Sequence, residues 1–492
     1  MVYHFNPNFV TRLNSIQKCA VRRLKYFAEK GIPSKILTVD FCPNGNNFHL
    51  HDLDPKDIAN MYDYFQQATN IPRAKTTVDS IFPAHLYDVQ AIDNTKNFKV
   101  YRNKRYIAHV RSPDGTAPNV VSYWDGKNWV KSETYDHRGF LSYEKVFAPK
   151  DVLLAEFYYT PSGEKVLEKF YAQKDGEDKK SELTTIGVKS PVNGLWHRMT
   201  TDNELVTHFF ATFFVEGDIV IDDALIQWDF KPLLDSKAPI KIVPVFHSAH
   251  LVYGSDKVHG CFAAVLDNID KIAAVIVQTR AQKDDITATF GHEDKMWVIP
   301  VGSRVDVPQN PARNSSMKII YVGRHRDVKR IKDTIQAFAY IVRRLPKARL
   351  HVCGINKKGQ EVYGKLAKEL GITHAVKISD FVPNLHQEYS ETKIMLLTSK
   401  NEGCPLVLIE AASYGIPVVS YDIKYGPAEL VINGESGFLT AEDPKEMSQK
   451  AVRLLTEPEL YVKFSDRAYA HSFNFTMEEH MSRWLELLER LT

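Results

Sequence analysis

Beyond residue 316 the chain repeats one pattern five times, a short apolar run followed by an amphipathic stretch. The apolar runs are Lys318–Val322, Arg349–Cys353, Ala375–Ser379, Lys393–Ser399 and Pro417–Tyr421. Apolar runs without period-two alternation predict strands buried on both faces, and alternation with helices predicts a parallel sheet of the doubly wound kind. A second αβ texture precedes it, with strands expected near Asp218–Ile221, Lys241–Phe246, Ala273–Val277 and Met296–Pro300. Residues 1–70 add a helix from about Ser15 to Lys30 and a β-branched strand, Lys35–Val39. From about Thr76 to Gly187 the texture changes to short aromatic and β-branched runs. They are cut by Pro113-Asp114-Gly115, Asp125-Gly126, Arg138-Gly139, Pro161-Ser162-Gly163 and Asp175-Gly176. Turn residues at that spacing predict an inserted antiparallel meander. Its aromatics (Tyr101, Tyr106, Trp124, Trp129, Tyr158, Tyr159) are read as exposed, serving either assembly and acceptor binding or cross-strand pairing. The last helix opens with a capping box, Thr476 and Glu479, and carries Met477, Met481, Trp484, Leu485, Leu488 and Leu491 on one stripe.

The domain plan that follows has four parts. Residues 1–75 and 188–305 form an N-terminal Rossmann-like domain, and 76–187 form the inserted β-rich domain. Residues 316–475 form a C-terminal domain, and 476–492 a helix expected to pack back on the first domain. The polar, proline-bearing Val305 to Ser316 is the linker. At 492 residues the chain is long enough for these separate cores. A formal net charge of +3 with both signs spread along the chain gives no reason to invoke nucleic acid. Five cysteines without CxxC spacing indicate reduced thiols, neither a disulfide framework nor a zinc site. The N-terminus lacks the build of a signal peptide, and no apolar run approaches the ~20 residues of a membrane span. A cytoplasmic protein is expected, with peripheral contact at the inner membrane face left open.

Candidate chemistry concentrates in three places. In Asn401-Glu402-Gly403-Cys404-Pro405-Leu406-Val407-Leu408-Ile409-Glu410 two carboxylates stand eight positions apart, around a proline suited to a helix's first turn. A wholly helical spacer would separate them by roughly 12 Å. That is too far for acid–base work on one bond, and suits gripping two ends of one long ligand. The helix N-terminus between them offers amides to an anion. Gly323-Arg324-His325-Arg326-Asp327-Val328-Lys329-Arg330 follows a strand end directly, where doubly wound sheets bind ligands. Arg324 and Lys329 there suit a diphosphate; a solvated basic helix start is the commoner fate of such a cluster taken alone, and the paired glutamates turn the reading towards the diphosphate. Phe246-His247-Ser248-Ala249-His250 ends another strand, placing a histidine to donate to a hydroxyl or polarise a leaving group. No third residue completes a metal site with the histidine pair. Asp222-Asp223 reads as loop solvation.

In this order the three sets resemble the retaining family-4 glycosyltransferases of the GT-B fold. Glu402 and Glu410 match that family's Glu-x7-Glu element, Arg324 and Lys329 its basic pair, and His250 its first-domain histidine. The resemblance implies two Rossmann-like domains with an interdomain cleft. Arg324 and Lys329 would hold the diphosphate, with Glu402 on the donor sugar and Glu410 on the ribose. Gly403, Cys404, Pro405 and Leu406 would supply phosphate contacts, Gly323 would end the strand, and Phe381 and Val382 would hold the base. Asp422-Ile423-Lys424-Tyr425-Gly426-Pro427, followed by Asn433-Gly434-Glu435-Ser436-Gly437-Phe438-Leu439, narrows the likeness. It resembles bacterial poly(glycerol-phosphate) and poly(ribitol-phosphate) α-glycosyltransferases of wall teichoic acid, and the related transferases of serine-rich adhesins. Two departures stand out: Asn14-Ser15 where the family has a glycine pair, and Asp380 where a glycine is common.

The resemblance implies transfer of glucose, or N-acetylglucosamine, from a UDP-sugar to a polyol-phosphate polymer, with retention and without metal or other cofactor. Ser/Thr of a serine-rich surface protein is the alternative acceptor, and a non-catalytic partner subunit the alternative role. Homo-oligomerisation through the meander is expected. A glycoside hydrolase is disfavoured by the separation of the glutamates. A nicotinamide dehydrogenase is disfavoured because no GxGxxG follows a strand.

Overall fold

The computed structural model describes residues 1–9, 13–43, 52–74, 76–173, 181–307 and 316–492. The chain divides into two compact units, Met1–Ile242 and Val243–Thr492.

In the first unit, strand Val2–Phe5 lies parallel between Ile219–Asp222 and Ser34–Thr38, with Ile58–Asn60 beyond the latter. Lys241–Pro244, where the chain leaves this unit, forms the other edge of the sheet. The two central strands are buried along their whole length, which is why their sequences lack alternation. Helix Ser15–Glu29 turns Ala20, Val21 and Leu24 onto Ile36 and Ile58 of the sheet.

Asp222-Asp223 is not a solvated loop. Both side chains are buried. Asp222 accepts from the Ala224 amide at 2.7 Å and from Trp228 Nε1 at 3.0 Å, and burial pushes its carboxyl up to about 7. Asp223 pairs with the guanidinium of Arg23, whose Nε donates to His4 Nδ1 at 3.1 Å. Adjacent acids suggest solvent only while the cation that pairs with them is unknown. Here it comes from a helix near the other end of the unit.

The inserted meander is a ten-stranded antiparallel sheet in strict chain order, from Asp88–Ala91 to Trp196–Met199. Two-residue turns set its registers. Arg102 pairs with Arg105 around Asn103 and Lys104, both at positive φ, the backbone of a type I′ turn. Asp175-Gly176 lies outside the described residues. None of the six aromatics read as exposed is so: Tyr158 is buried and the others are half-buried. Rings meet across strands instead, with Tyr101 on Tyr106 at 5.7 Å, Trp124 on Trp129 at 6.3 Å and Tyr143 on Tyr158 at 4.7 Å. Pairs of that kind stabilise a thin sheet.

The second unit holds a parallel pair, Val275–Val277 with Met296–Val298, and a six-stranded parallel sheet. The large sheet runs Val376–Ser379, Arg349–Cys353, Lys318–Val322, Ile394–Leu397, Val418–Tyr421, Gly437–Thr440. By chain order within the sheet this is 3-2-1-4-5-6, so the order reverses between Lys318–Val322 and Ile394–Leu397. The sixth strand was not foreseen, because Gly437-Phe438-Leu439-Thr440 is too short and glycine-led to read as one. Of the expected linker, residues 308–315 lie outside the described residues.

Helix Met477–Leu491 is capped by Thr476, whose hydroxyl accepts from the Glu479 amide at 3.1 Å. Its packed face includes His480, which the apolar stripe omitted. His480 Nδ1 sits 2.6 Å from the Pro300 carbonyl, and its Nε2 accepts from Trp484 Nε1 at 3.2 Å. No helix among the described residues is long and apolar enough to cross a membrane.

Breaking a buried ion pair by removing one partner typically costs about 3–5 kcal/mol. Asp223→Ala is therefore expected to lower the urea midpoint of the first unit's unfolding by a corresponding amount. An unchanged midpoint would mean that Arg23 finds other compensation.

Candidate functional site

The point at which a doubly wound sheet reverses its order opens a crevice at the strands' carboxyl ends. In the second unit the strands flanking that point are Lys318–Val322 and Ile394–Leu397. The loops that leave them carry Gly323 to Lys329 and Thr398 to Leu406. Two of the three sequence sets therefore meet through sheet topology alone.

The first loop is narrow. A Cβ on Gly323 would stand 2.7 Å from the Tyr321 hydroxyl, so any larger residue here would have to displace that buried ring. The chain then passes through a short 3-10 turn, Asp327–Lys329, and Arg330 takes a left-handed conformation. The second loop grips that turn. Thr398 Oγ1 donates to the Lys329 and Arg330 carbonyls, both at 3.1 Å, and the Lys400 amide donates to the Val328 carbonyl at 2.7 Å. Held in this way, Lys329 Nζ bonds Glu402 Oε1, and Ser399 Oγ donates to the same oxygen at 2.6 Å. The pair is mostly sheltered, with 23% of the Lys329 side chain and 13% of the Glu402 side chain exposed. Arg324 is exposed and makes no side-chain hydrogen bond or ion pair among the described residues.

After Glu402 the chain does not enter a helix at once. Helix Leu406–Ser413 begins four residues on, and Pro405 is its N-cap rather than a first-turn residue. The separation calculated for a wholly helical spacer therefore does not apply. No side chain caps this helix, so its first amides are left to other acceptors. Gly403 and Pro405 are buried while Cys404 and Leu406 are half-buried. Glu410 sits on the helix and accepts from the buried Tyr389 hydroxyl at 2.8 Å. Burial, with Glu410 beside it, holds that phenol well above its usual pKa.

His250 belongs to the same unit. A Cβ on Gly403 would fall 2.6 Å from the His247 carbonyl oxygen and 2.8 Å from Ser248 Cα, so the Glu402 loop packs directly on the histidine loop. His250 is 2% exposed, and its buried Nδ1 has no hydrogen-bond partner among the described residues. Its ring stacks on Tyr425, with centroids 5.7 Å apart and planes 12° from parallel. Burial pulls its pKa down to about 4, with Lys424 adding to the fall and Asp285 opposing it. The imidazole is thus neutral at physiological pH, with one nitrogen a donor and one an acceptor.

Phe381 and Val382 follow strand Val376–Ser379; Phe381 is 54% exposed, and Val382 packs against the hydrophobic cluster that includes Tyr389. Asp380 needs no glycine conformation, since its φ is not positive, and its carboxylate accepts from the Phe381 amide at 2.7 Å. Asn14 and Ser15 lie in the first unit. Asn14 is an N-cap at φ −75, with Oδ1 accepting from the Gln17 amide at 2.9 Å and its own amide donating to Gln17 Oε1 at 3.2 Å. This capping box satisfies backbone amides at the start of helix Ser15–Glu29.

Several residues here escaped the sequence reading. Ser399 and Thr398 carry no signal beyond following an apolar run. Tyr389 and Asp285 lie 21 and 140 residues from the partners they bond, Glu410 and Tyr425. Tyr425 belongs to the Asp422–Pro427 motif, whose sequence assigns it no role. One cluster among the described residues brings together three kinds of metal donor: His351, Cys353 and Glu388. It is already satisfied. His351 bonds Glu388 at 2.7 Å and Ser379 at 2.9 Å, and the Lys318 ammonium sits 2.7 Å from the same carboxylate.

Residues 304–471 match the family Glycosyl transferases group 1. The likeness seen in the sequence is borne out. The poly(glycerol-phosphate) alpha-glucosyltransferase of Bacillus subtilis is 24% identical over 405 residues, 77% of this chain. That match spans 57% of the relative's own length. Among solved structures, S. aureus TarM in complex with Fondaparinux, alpha-GlcNAc-glycerol and UDP superposes with a TM-score of 0.76 at 19% identity, over 99% of both chains. The pneumococcal O-GlcNAc transferase GtfA in complex with UDP and GlcNAc gives 0.77 at 18%, over 100% of this chain and 98% of its own. At such identities the likeness is one of fold, and it extends to the inserted antiparallel meander.

The low pKa of His250 makes a pH-dependent prediction. The unfolded chain takes up this proton near 6.5 and the folded chain only near 4. The stability contributed by neutral His250 is therefore complete above pH 6.5 and is lost as pH falls towards 4. Urea melts of wild type and His250→Gln between pH 4 and 7 should show a stability difference that moves against wild type as pH falls. A pH-independent difference would contradict the assignment.

Proposed function

We propose that this chain is a retaining hexosyltransferase. It would move glucose or N-acetylglucosamine from a UDP-sugar to hydroxyls of a wall teichoic acid polyol-phosphate polymer. The observation that carries the reading is the Lys329–Glu402 pair at the sheet's reversal point, with the exposed Arg324 on the same loop as Lys329 and unpaired among the described residues. Arg324 and Lys329 supply the positive charge that a leaving diphosphate requires. Glu402 meets the donor sugar, Glu410 the ribose, and the uncapped amides after Pro405 the phosphates. Gly323, Phe381, Val382, Asn14 and Ser15 belong to the same proposed donor site, as does His250, a neutral donor and acceptor for a sugar hydroxyl. The GT-B arrangement of two doubly wound domains and a cleft is part of this reading. So are the domain limits 1–75 with 188–305, 76–187 and 316–475, a cytoplasmic location, and homo-oligomerisation through the meander.

In this mechanism the bond from the anomeric carbon to the diphosphate oxygen breaks, and the acceptor oxygen bonds that carbon from the same face. The acceptor's proton passes to the departing diphosphate. Arg324 and Lys329 stabilise the departing oxygen, so charge neutralisation is assigned to side chains and no metal is invoked. The second reading, transfer to Ser/Thr of a serine-rich surface protein, has support in the sequence match to the Streptococcus parasanguinis GtfA subunit, 20% identical over 100% of this chain.

A panel of UDP-sugars, offered with polyol-phosphate polymer and with Ser-rich peptide, separates the two acceptors and identifies the sugar. Polymer transfer with retained configuration and undiminished turnover in chelator is expected. Transfer to peptide alone would establish the second reading, and strict metal dependence would overturn the charge assignment. Losing one well-aimed stabilising group costs about 100-fold or more in turnover. Lys329→Ala should show that loss while remaining folded, and near-normal turnover would remove Lys329 from the mechanism.

A further inference from the structure

Asp422-Ile423-Lys424-Tyr425-Gly426-Pro427 is the sequence's most distinctive motif, yet none of the roles above uses it. It leaves strand Val418–Tyr421 and runs beside the Glu402 loop. The Glu402 amide donates to the Lys424 carbonyl at 3.2 Å, and the Tyr425 amide donates back to the Glu402 carbonyl at 2.8 Å. Gly426, at φ +87, passes so close that a Cβ would meet Pro405 Cδ at 2.5 Å and the Gly403 carbonyl oxygen at 2.9 Å. The backbone of this motif is thus bonded to the backbone of Glu402, while the ring of Tyr425 stacks on His250.

Helix Arg280–Phe290 braces both sides of that stack. Gln282 Nε2 donates to the Ser248 carbonyl at 2.9 Å, two residues before His250. Asp285 accepts from the Tyr425 hydroxyl at 2.7 Å and pairs with Lys424. The Ala281 amide donates to Glu429 at 2.9 Å, just past the motif. Burial raises the Asp285 pKa, but the Lys424 and Tyr425 hydrogen bonds outweigh it and hold the carboxylate below its usual value. It stays ionised and keeps accepting from both. A stacked aromatic pair has orientation preferences of its own, and a hydroxyl anchored to a carboxylate removes the remaining freedom of the tyrosine.

We infer that Tyr425 and Asp285 are positioning residues that fix the His250 ring relative to Glu402. Lys424 assists by holding Asp285. The motif is the mechanical link: one segment bonds the main chain of the glutamate and carries the ring against which the histidine rests. What His250 then does depends on the glycosyl-transfer reading above, whereas the positioning itself does not.

The test pairs a spectroscopic readout with kinetics on the full chain. Imidazole resonances of His250 are assigned by their loss in His250→Gln, then followed in Tyr425→Leu, Tyr425→Phe and Asp285→Asn. Tyr425→Leu removes the stack, so the His250 resonances should move and kcat should fall about 100-fold, the effect of displacing a reacting group. KM for the UDP-sugar should stay within about twofold, because a uniformly bound donor is not what is lost. Tyr425→Phe keeps the ring and loses one hydrogen bond, so its kcat should fall only about two- to tenfold. Asp285→Asn should lie between the two. Unmoved His250 resonances and wild-type kcat in folded Tyr425→Leu would overturn the inference. Should that variant not fold, unmoved resonances in both Tyr425→Phe and Asp285→Asn would overturn it. Wild-type transfer by His250→Gln would instead remove His250 from the functional reading, and the resonances alone would then decide the positioning.

Discussion

The candidate site depends on one ion pair, Lys329 with Glu402, held where the six-stranded sheet reverses its order. Neither partner is placed by its own rotamer alone. Thr398 and Lys400 bond the main chain of the Lys329 turn, and Ser399 bonds the carboxylate of Glu402. Three consecutive residues at the end of one strand thus position a cation from the neighbouring strand and an anion from their own loop. Without its ammonium, this sheltered carboxylate would keep only the Ser399 hydroxyl as a side-chain partner among the described residues. That is why the two charges are best considered as a unit. In a donor complex the ammonium would turn from a carboxylate to a diphosphate, exchanging one anionic partner for another.

The same economy runs outward from the pair. Two glycines mark places where main chains pass too closely for any side chain, Gly403 against the histidine loop and Gly426 against the Gly403 carbonyl and Pro405, while Gly323 makes room for the Tyr321 ring. These contacts bring the Glu402 loop to His250 without any long-range charge. Glu410, one helix further on, is fixed separately through Tyr389. The proposed donor contacts therefore rest on two supports, an ion pair with tight backbone packing near the sugar and a buried phenol near the ribose.

Much of the fold was legible because apolar runs without alternation can hardly be anything but buried strands. Five of the six strands in the large sheet follow from that alone. Strand order was not legible, since it depends on which edges pair, and the sixth strand is too short and glycine-led to announce itself. Where the sequence misled, the cause was a distant partner. Asp222-Asp223 looked solvated because Arg23 was out of sight. The meander's aromatics looked exposed because the rings that cover them lie on neighbouring strands. The glutamates and basic residues were legible by motif and spacing. Ser399, Tyr389, Asp285 and the stack of Tyr425 on His250 were not, because only folding brings those residues to the site.

The most direct test is the affinity of the free protein for UDP, measured calorimetrically in wild type and Glu402→Gln. Glu402 holds Lys329 in the free protein and the diphosphate must compete for it. Removing the carboxylate's charge should therefore tighten UDP binding about twofold to fivefold, the worth of one partly exposed ion pair. UDP affinity that is unchanged or weaker in Glu402→Gln would contradict the account, because Lys329 would then not be the group the diphosphate takes.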